Sequence, residues 1–261
     1  MVLRTLKRIL AHPLTRDLNL DDPRTTALRQ RIIRENRFLE RLYVEWYESI
    51  VRSLPDTEGP IVELGAGAGF MKEYIPELIA SDKLIVSEIS ISLDAHQLPF
   101  DKNTLKAIVM IDVLHHLSRP RIFFSEVARC LRTGGAVIMI EPWVTLWSKL
   151  VYRRLHHEPF DPDVSDWGFP ARGPLSGANS AMPWIIFGRD IQLFGKEFPQ
   201  LKINSIKLLT PFRYLLSGGV SFRTLVPAWS FDIVRRFENV LKPWFPHLAM
   251  FAQIEIVKVR D

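Results

Sequence analysis

A single cysteine, Cys130, excludes any disulfide within the chain. The sequence therefore suits a reducing compartment, and the expectation is a cytoplasmic protein. Long hydrophobic runs are missing too: nowhere do about 18 apolar residues follow one another, so no membrane-spanning helix is expected. The opening stretch MVLRTLKRILAHP lacks the apolar block and small-residue cleavage site of a secretory signal. Although the formal net charge is +5, Lys and Arg are scattered among Asp and Glu over most of the chain. The dense basic stripe of a nucleic-acid binder is absent, and no DNA partner is expected. There is no internal repeat and no low-complexity tract. What is present is 47% hydrophobic residues in 261, enough for one α/β domain with additions and a proper core. Two stretches carry basic residues without acids: 1–16, with Arg4, Lys7, Arg8 and Arg16, and 149–157, with Lys149, Arg153, Arg154, His156 and His157.

Residues 1–58 read as a helical extension. Asp22 can cap a long helix and Pro23 suits its first position, with Leu28, Ile32, Leu39, Tyr43, Trp46 and Ile50 on one buried face. From 59 onward, continuous apolar runs alternate with helical segments, the pattern of a parallel sheet covered on both faces. IVELGAG reads as the first strand, FMKEYIPELIA as a helix despite Pro76, KLIVSEI as the second strand, and LKAIVMIDVL as a further long one. A helix over about 120–132 leads to the turn Thr133–Gly134–Gly135 and the strand AVIMIEPW. Residues 143–188 and 220–246 read as inserted segments rich in aromatic residues. RDIQLFGKEFP and WSFDIVRRFENVL are predicted helices, and LKINSIKLLTPF and MFAQIEIVKV the last strands.

The stretch VELGAGAGF, residues 62–70, places glycines at 65, 67 and 69. This differs from the dinucleotide fingerprint, whose third glycine would fall at Phe70. The carboxylate of Glu63 just ahead of the turn repels phosphate and suits a cationic ligand group. On electrostatic grounds, S-adenosylmethionine, with an ammonium, a sulfonium and no phosphate, is favoured over NAD. Together with IVSEIS, LDAHQLPF, IDVLHHL and CLRTGGAVIMIEP, in that order, the glycine turn resembles the class I S-adenosylmethionine-dependent methyltransferases of the small-molecule, type 11-like group, over residues 60–142.

The resemblance implies a doubly wound, mostly parallel Rossmann-like methyltransferase sheet, with the N-terminal helical extension and the insertions forming a substrate lid. It implies S-adenosyl-L-methionine as cofactor. The backbone of Gly65, Ala66, Gly67 and Gly69 would lie against it, with Glu63 on its ammonium. Glu88, followed by Ile89, would take the ribose diol, Asp94 and Ala95 the adenine, and Asp112 the methionine end. Only residues 89–93 separate Glu88 from Asp94, too few for the usual crossover helix, so the third strand must be short, displaced or replaced by a loop.

Methyl transfer to oxygen or carbon can call for a base, and the candidates are His115, His116, Glu141, His156, His157 and Tyr152. The competing reading of the LHHL pair is that one histidine packs and the other touches the cofactor edge. The cluster His156-His157-Glu158 falls in the insertion, which should form part of the acceptor pocket; adjacent histidines rarely face one ion together, so no metal is expected there. The Asn/Asp-Pro-Pro-aromatic motif of enzymes acting on DNA-base amino groups is replaced by IDVLHHL. The aromatic insertions point to a small or lipid-like hydrophobic acceptor, methylated at oxygen. The alternatives are an RNA or protein methyltransferase, or a catalytically silent cofactor-binding partner subunit. Val2, Leu3, Leu6, Ile9 and Leu10 flanked by Arg4, Lys7 and Arg8 match a helix lying on an anionic membrane, and equally a helix docked on the protein's own core.

Overall fold

The computed structural model describes residues 10–15, 22, 24–67, 70–83, 91–156, 158–170, 173 and 177–261. The sheet begins with β1 (Ile61–Leu64), β2 (Ile79–Asp82) and the two-residue β3 (Ile91–Ser92). It continues through β4 (Leu105–Ile111), β5 (Leu131–Pro142), β6 (Leu201–Leu209) and β7 (Phe251–Lys258). The strand order is β3-β2-β1-β4-β5-β7-β6, parallel throughout except that β7 runs antiparallel between β5 and β6. The order reverses between β1 and β4, and the crevice beyond their carboxyl ends is where such sheets hold ligands.

Because side chains alternate along a strand, β4 feeds two cores. Ile108 and Met110 join Phe123, Phe124, Phe187 and Phe194 on one face, while Ala107 and Val109 join Leu39, Trp46, Ile50 and Phe251 on the other. The first face is covered by α-helical segments that follow the sheet's first half. The second is covered by α1 (Arg24–Glu35) and α2 (Arg37–Arg52), so the N-terminal helices form a layer of the same body. The expected single long helix is broken at Asn36. Its side-chain oxygen accepts from the Leu39 N–H at 3.2 Å, capping α2, and its amide donates to the Ser217 carbonyl at 2.9 Å. Asp22 does cap the first turn, accepting from the Arg24 N–H at 2.9 Å.

Two further elements differ from expectation. The predicted helix over FMKEYIPELIA is a single 3₁₀ turn, Phe70–Glu73, and Ile79 and Ala80 already belong to β2. Pro76 explains this: it has no N–H for a helical bond and forces the residue before it out of the helical region. The second strand is consequently Ile79–Asp82 rather than KLIVSEI, and residues 84–90 lie outside the described residues. The expectation of a short third strand agrees with β3.

The longer helices that follow are α3 (Pro120–Cys130), α4 (Leu146–Arg154), α5 (Ile191–Glu197), α6 (Arg213–Ser217) and α7 (Phe231–Val240). Cys130 closes α3 fully buried, its thiol 3.5 Å from the Phe100 carbonyl and pushed up by burial to about 11. The insertion 143–188 is largely core: Trp143 and Trp167 are buried, and the Trp167 indole donates to Asp190 at 2.9 Å. The segment 225–246 turns outward instead. Leu225, Trp229, Ile233, Phe237, Val240 and Trp244 are each more than half exposed. Residues 10–12 pair with 221–223 at the same edge.

Candidate active site

A cleft of about 270 Å³ opens at the carboxyl ends of β1 and β4. The glycine turn forms one wall. Gly65 has φ +67°, and a Cβ there would meet the Val113 side chain at 2.4 Å, so only glycine fits against the start of the loop after β4. Gly67 has φ +46°, and a Cβ on it would meet little of the protein. It lies on the cleft wall, where a side chain would take ligand space. The Ala66 N–H donates to the Ser81 carbonyl at 2.8 Å and the Gly67 N–H to Asp82 Oδ2 at 2.9 Å, which tie the turn to the end of β2.

Two acids at this edge form no ion pair within 4 Å among the described residues. Glu63 is 4% exposed, and its Oε2 is buried with no hydrogen-bond partner among the described residues. Burial, and then the charge of Asp82, push its carboxyl up to about 8. Asp112, at φ +59°, is pushed up to about 7, mainly by burial, with Glu141 and Glu158 adding to the rise against the opposing effect of His115. A cationic ligand would relieve both. This is the chemistry of a methionine ammonium and sulfonium, and the orphaned oxygen and the glycine cradle fit S-adenosylmethionine.

Of the other cofactor positions expected from sequence, Ala95 and Asp94 line the cleft, with Asp94 accepting from the His96 N–H at 2.9 Å. Gly69, Glu88 and Ile89 lie outside the described residues. The acid that the fold brings to the carboxyl end of the second strand is Asp82, which sequence reasoning passed over because it placed that strand too late. Arg29 and Thr26 of α1, and Tyr43 and Tyr47 of α2, also line the cleft and were missed. They belong to the N-terminal layer, whose only sequence signal was a buried apolar face. Arg29 makes no hydrogen bond or ion pair among the described residues.

The candidate bases meet in one network. Glu141, fully buried at the end of β5, accepts from the Val113 and Leu114 N–H groups at 2.8 and 2.7 Å on Oε1, and from His115 Nδ1–H at 2.8 Å on Oε2. His115 Nε2–H donates to Glu158 Oε2 at 3.2 Å. Burial opposes the charge on His115, but the two flanking carboxylates outweigh it and hold the imidazolium well above its usual range. Glu158, on the cleft wall, is held well below the carboxylate range by His115 and the neighbouring histidines despite its burial. His116 is the reverse: burial and the His115 charge push it down to about 3. Its Nδ1 faces the Gly177 carbonyl at 3.3 Å and so carries the proton, leaving the Nε2 lone pair 3.6 Å from Glu158. His115, His116 and Glu158 can gather ligand atoms within 4.8 Å. His115 nevertheless presents N–H groups on both sides, so it has no lone pair to give an ion. His157 lies outside the described residues. Tyr152 is committed to structure, its hydroxyl donating to the Met250 carbonyl at 2.6 Å.

Residues 62–139 match a family model described as a methyltransferase domain. No curated protein matches the chain. Among solved structures, one neighbour is the chain in complex with the Trm112 methyltransferase activator of Haloferax volcanii. It is 12% identical, with a TM-score of 0.53, over 93% of this chain and 99% of that one. Another is an S-adenosylmethionine-dependent methyltransferase of Thermotoga maritima, 14% identical, with a TM-score of 0.51, over 90% of this chain and 100% of that one. At such identities these neighbours establish the fold.

Proposed function

On the premise that this chain is a class I S-adenosylmethionine-dependent methyltransferase of the type 11-like group, we propose that it methylates an oxygen of a small or lipid-like hydrophobic acceptor. The observation that carries this is the continuity of the cleft. One cavity is lined both by the Glu63–Gly67 edge and by the aromatic residues Tyr43, Phe169, Tyr214, Phe222 and Phe251, and His116 and Glu158 line it too.

The roles divide by place. Glu63 and Asp112 hold the ammonium end of the cofactor, Arg29 its carboxylate, Asp82 the ribose, and Asp94 with Ala95 the adenine. The bound cofactor supplies an electrophilic methyl on a positive sulfur. The chain aligns the acceptor with it and excludes water, which lowers the barrier without covalent help. Glu158 accepts the hydroxyl proton. Its low basicity is no obstacle, because an oxygen that is gaining a methyl becomes a far stronger acid than a carboxylic acid. The His116 lone pair orients the hydroxyl. His115 and Glu141 do not touch the acceptor: they fix the carboxylate of Glu158.

Incubation with methyl-labelled cofactor and, in parallel, extracted lipids, water-soluble metabolites, RNA and peptides tests the reading. Label in an alkali-stable ether or alkali-labile ester of an apolar product is the expected result. Label confined to RNA or peptide, or to nitrogen, would refute it.

A further inference from the structure

We propose that the outward face of α7 and its flanks docks this protein on an anionic lipid surface. Trp229, Ile233, Phe237, Val240 and Trp244 follow one another at spacings of four, four, three and four residues, so they form one stripe along the helix and its continuation. Their exposures are 73%, 59%, 56%, 76% and 60%. An apolar stripe of this length on a folded chain marks a contact surface rather than scattered surface residues.

Charge selects the occupant. The acids of α7 are already engaged. Asp232 takes Arg41 at 2.9 Å and Arg235 at 3.0 Å, and Glu238 faces inward to Arg213 at 2.5 Å. Arg236, which flanks the stripe at helical spacing, and Lys242, just past the helix end, are by contrast exposed and form no ion pair among the described residues. The stripe is thus apolar with a net cationic border. A second copy of the chain on a twofold axis would bring that border against itself and leave like charges facing. An anionic lipid headgroup layer matches it, and the tryptophans at the two ends have the amphipathic ring that sits at such an interface. The position suits the chemistry as well. Residues 220–222 line the cleft, and the chain leads from them directly into Leu225 and Trp229. Docking there would set the chamber mouth near the lipid. The docking stands on the stripe alone, and does not depend on which atom is methylated.

The test is flotation of the full chain with vesicles of phosphatidylcholine, and of equimolar phosphatidylcholine and phosphatidylglycerol. Wild type is expected to float with the anionic vesicles at low salt and to be released as screening shortens to about 3 Å at 1 M salt. The pair Phe237→Ser and Val240→Ser should lower the partition coefficient about tenfold or more. Arg236→Ser with Lys242→Ser should lower it on anionic vesicles alone. All these side chains are solvent-exposed, and retained S-adenosylhomocysteine binding verifies that each variant is folded. Failure of wild type to float would overturn the proposal. So would flotation unchanged by the Phe237/Val240 pair, which would place the contact elsewhere, and so would a wild-type dimer that this pair converts to monomer. Because flotation reads no turnover, a protein that floats but methylates no apolar acceptor overturns the function proposed above and leaves the docking intact.

Discussion

Glu63 is the residue whose environment says most about its ligand. An ordinary buried carboxylate is hydrogen-bonded or paired. Here one oxygen has neither, and the group is protonated at neutral pH when nothing is bound. Binding of the cofactor's ammonium favours the ionised form, so binding releases a proton at pH below about 8, and affinity weakens as the pH falls further. Isothermal titration with S-adenosylhomocysteine in buffers of different ionisation enthalpy should therefore show proton release near pH 7. Glu63→Gln should reduce the release to the share of Asp112 and weaken binding by about 1.5–3 kcal/mol, the worth of hydrogen bonds to a charged group.

Gly67 supplies the complementary case. Gly67→Val should leave a folded protein, since a Cβ there meets little of the chain, though at a cost of about 1–3 kcal/mol for a side chain at φ +46°, and should remove cofactor binding. Circular dichroism and titration together check this. At Gly65 the clash is internal. Gly65→Ala places a methyl 2.4 Å from Val113 at positive φ, so it should lower stability by about 1–3 kcal/mol, measured by denaturant unfolding.

Among the elements, the break at Asn36 matters beyond the helices it separates. One side chain caps α2 and holds the Ser217 carbonyl at the end of α6, so it ties the N-terminal layer to the segment 214–222 that closes the cleft. Asn36→Ala should cost about 1–2 kcal/mol of stability, the usual worth of an N-cap. It should raise the acceptor KM more than it changes kcat, which steady-state kinetics on the identified acceptor would resolve.

The strands at the centre of the sheet were legible because they are continuous apolar runs, and so were α3, α5 and α7 because their apolar spacing is helical. The region from Phe70 to Ser92 was not. Its apolar residues fit both a helix and a strand, and Pro76 decided between them. The consequence reached the site: with the second strand placed at 83–89 the ribose acid was expected at Glu88, whereas the edge of β2 carries Asp82. The glycine turn, Glu63, Asp112 and the His115–Glu141 pair could be found from sequence because they follow directly on strands. Arg29 and Tyr43 could not, because they reach the cleft through tertiary packing of the N-terminal layer.

Over the whole molecule, the buried titratable groups make stability depend on pH in an unusual direction. Glu63 and Asp112 have folded values raised to about 8 and about 7, and His115 is also raised. The folded chain therefore binds more protons than the unfolded one between pH 6.5 and 8, and stability falls as pH rises through that window. His116 acts oppositely, but only below its ordinary value of 6.5, down to about 3. Thermal unfolding of the ligand-free protein should thus show a melting temperature that declines from pH 6.5 to 8. Saturating S-adenosylhomocysteine should flatten the decline, because its ammonium keeps Glu63 ionised, and should add about 2.7 kcal/mol at a hundred times its Kd.

The lone thiol at the end of α3 has a use of its own. Cys130 is sealed against the Phe100 carbonyl, with its pKa pushed up to about 11 by burial, so it is neither accessible nor ionised in the native state. A thiol-reactive dye can reach it only when α3 comes away from the strands it packs against. The chain thus carries an intrinsic clock. At high reagent concentration the labelling rate reads the opening rate of the central sheet, and at low concentration it reads the opening equilibrium, with no engineered label. Every substitution discussed above can be ranked on that one scale.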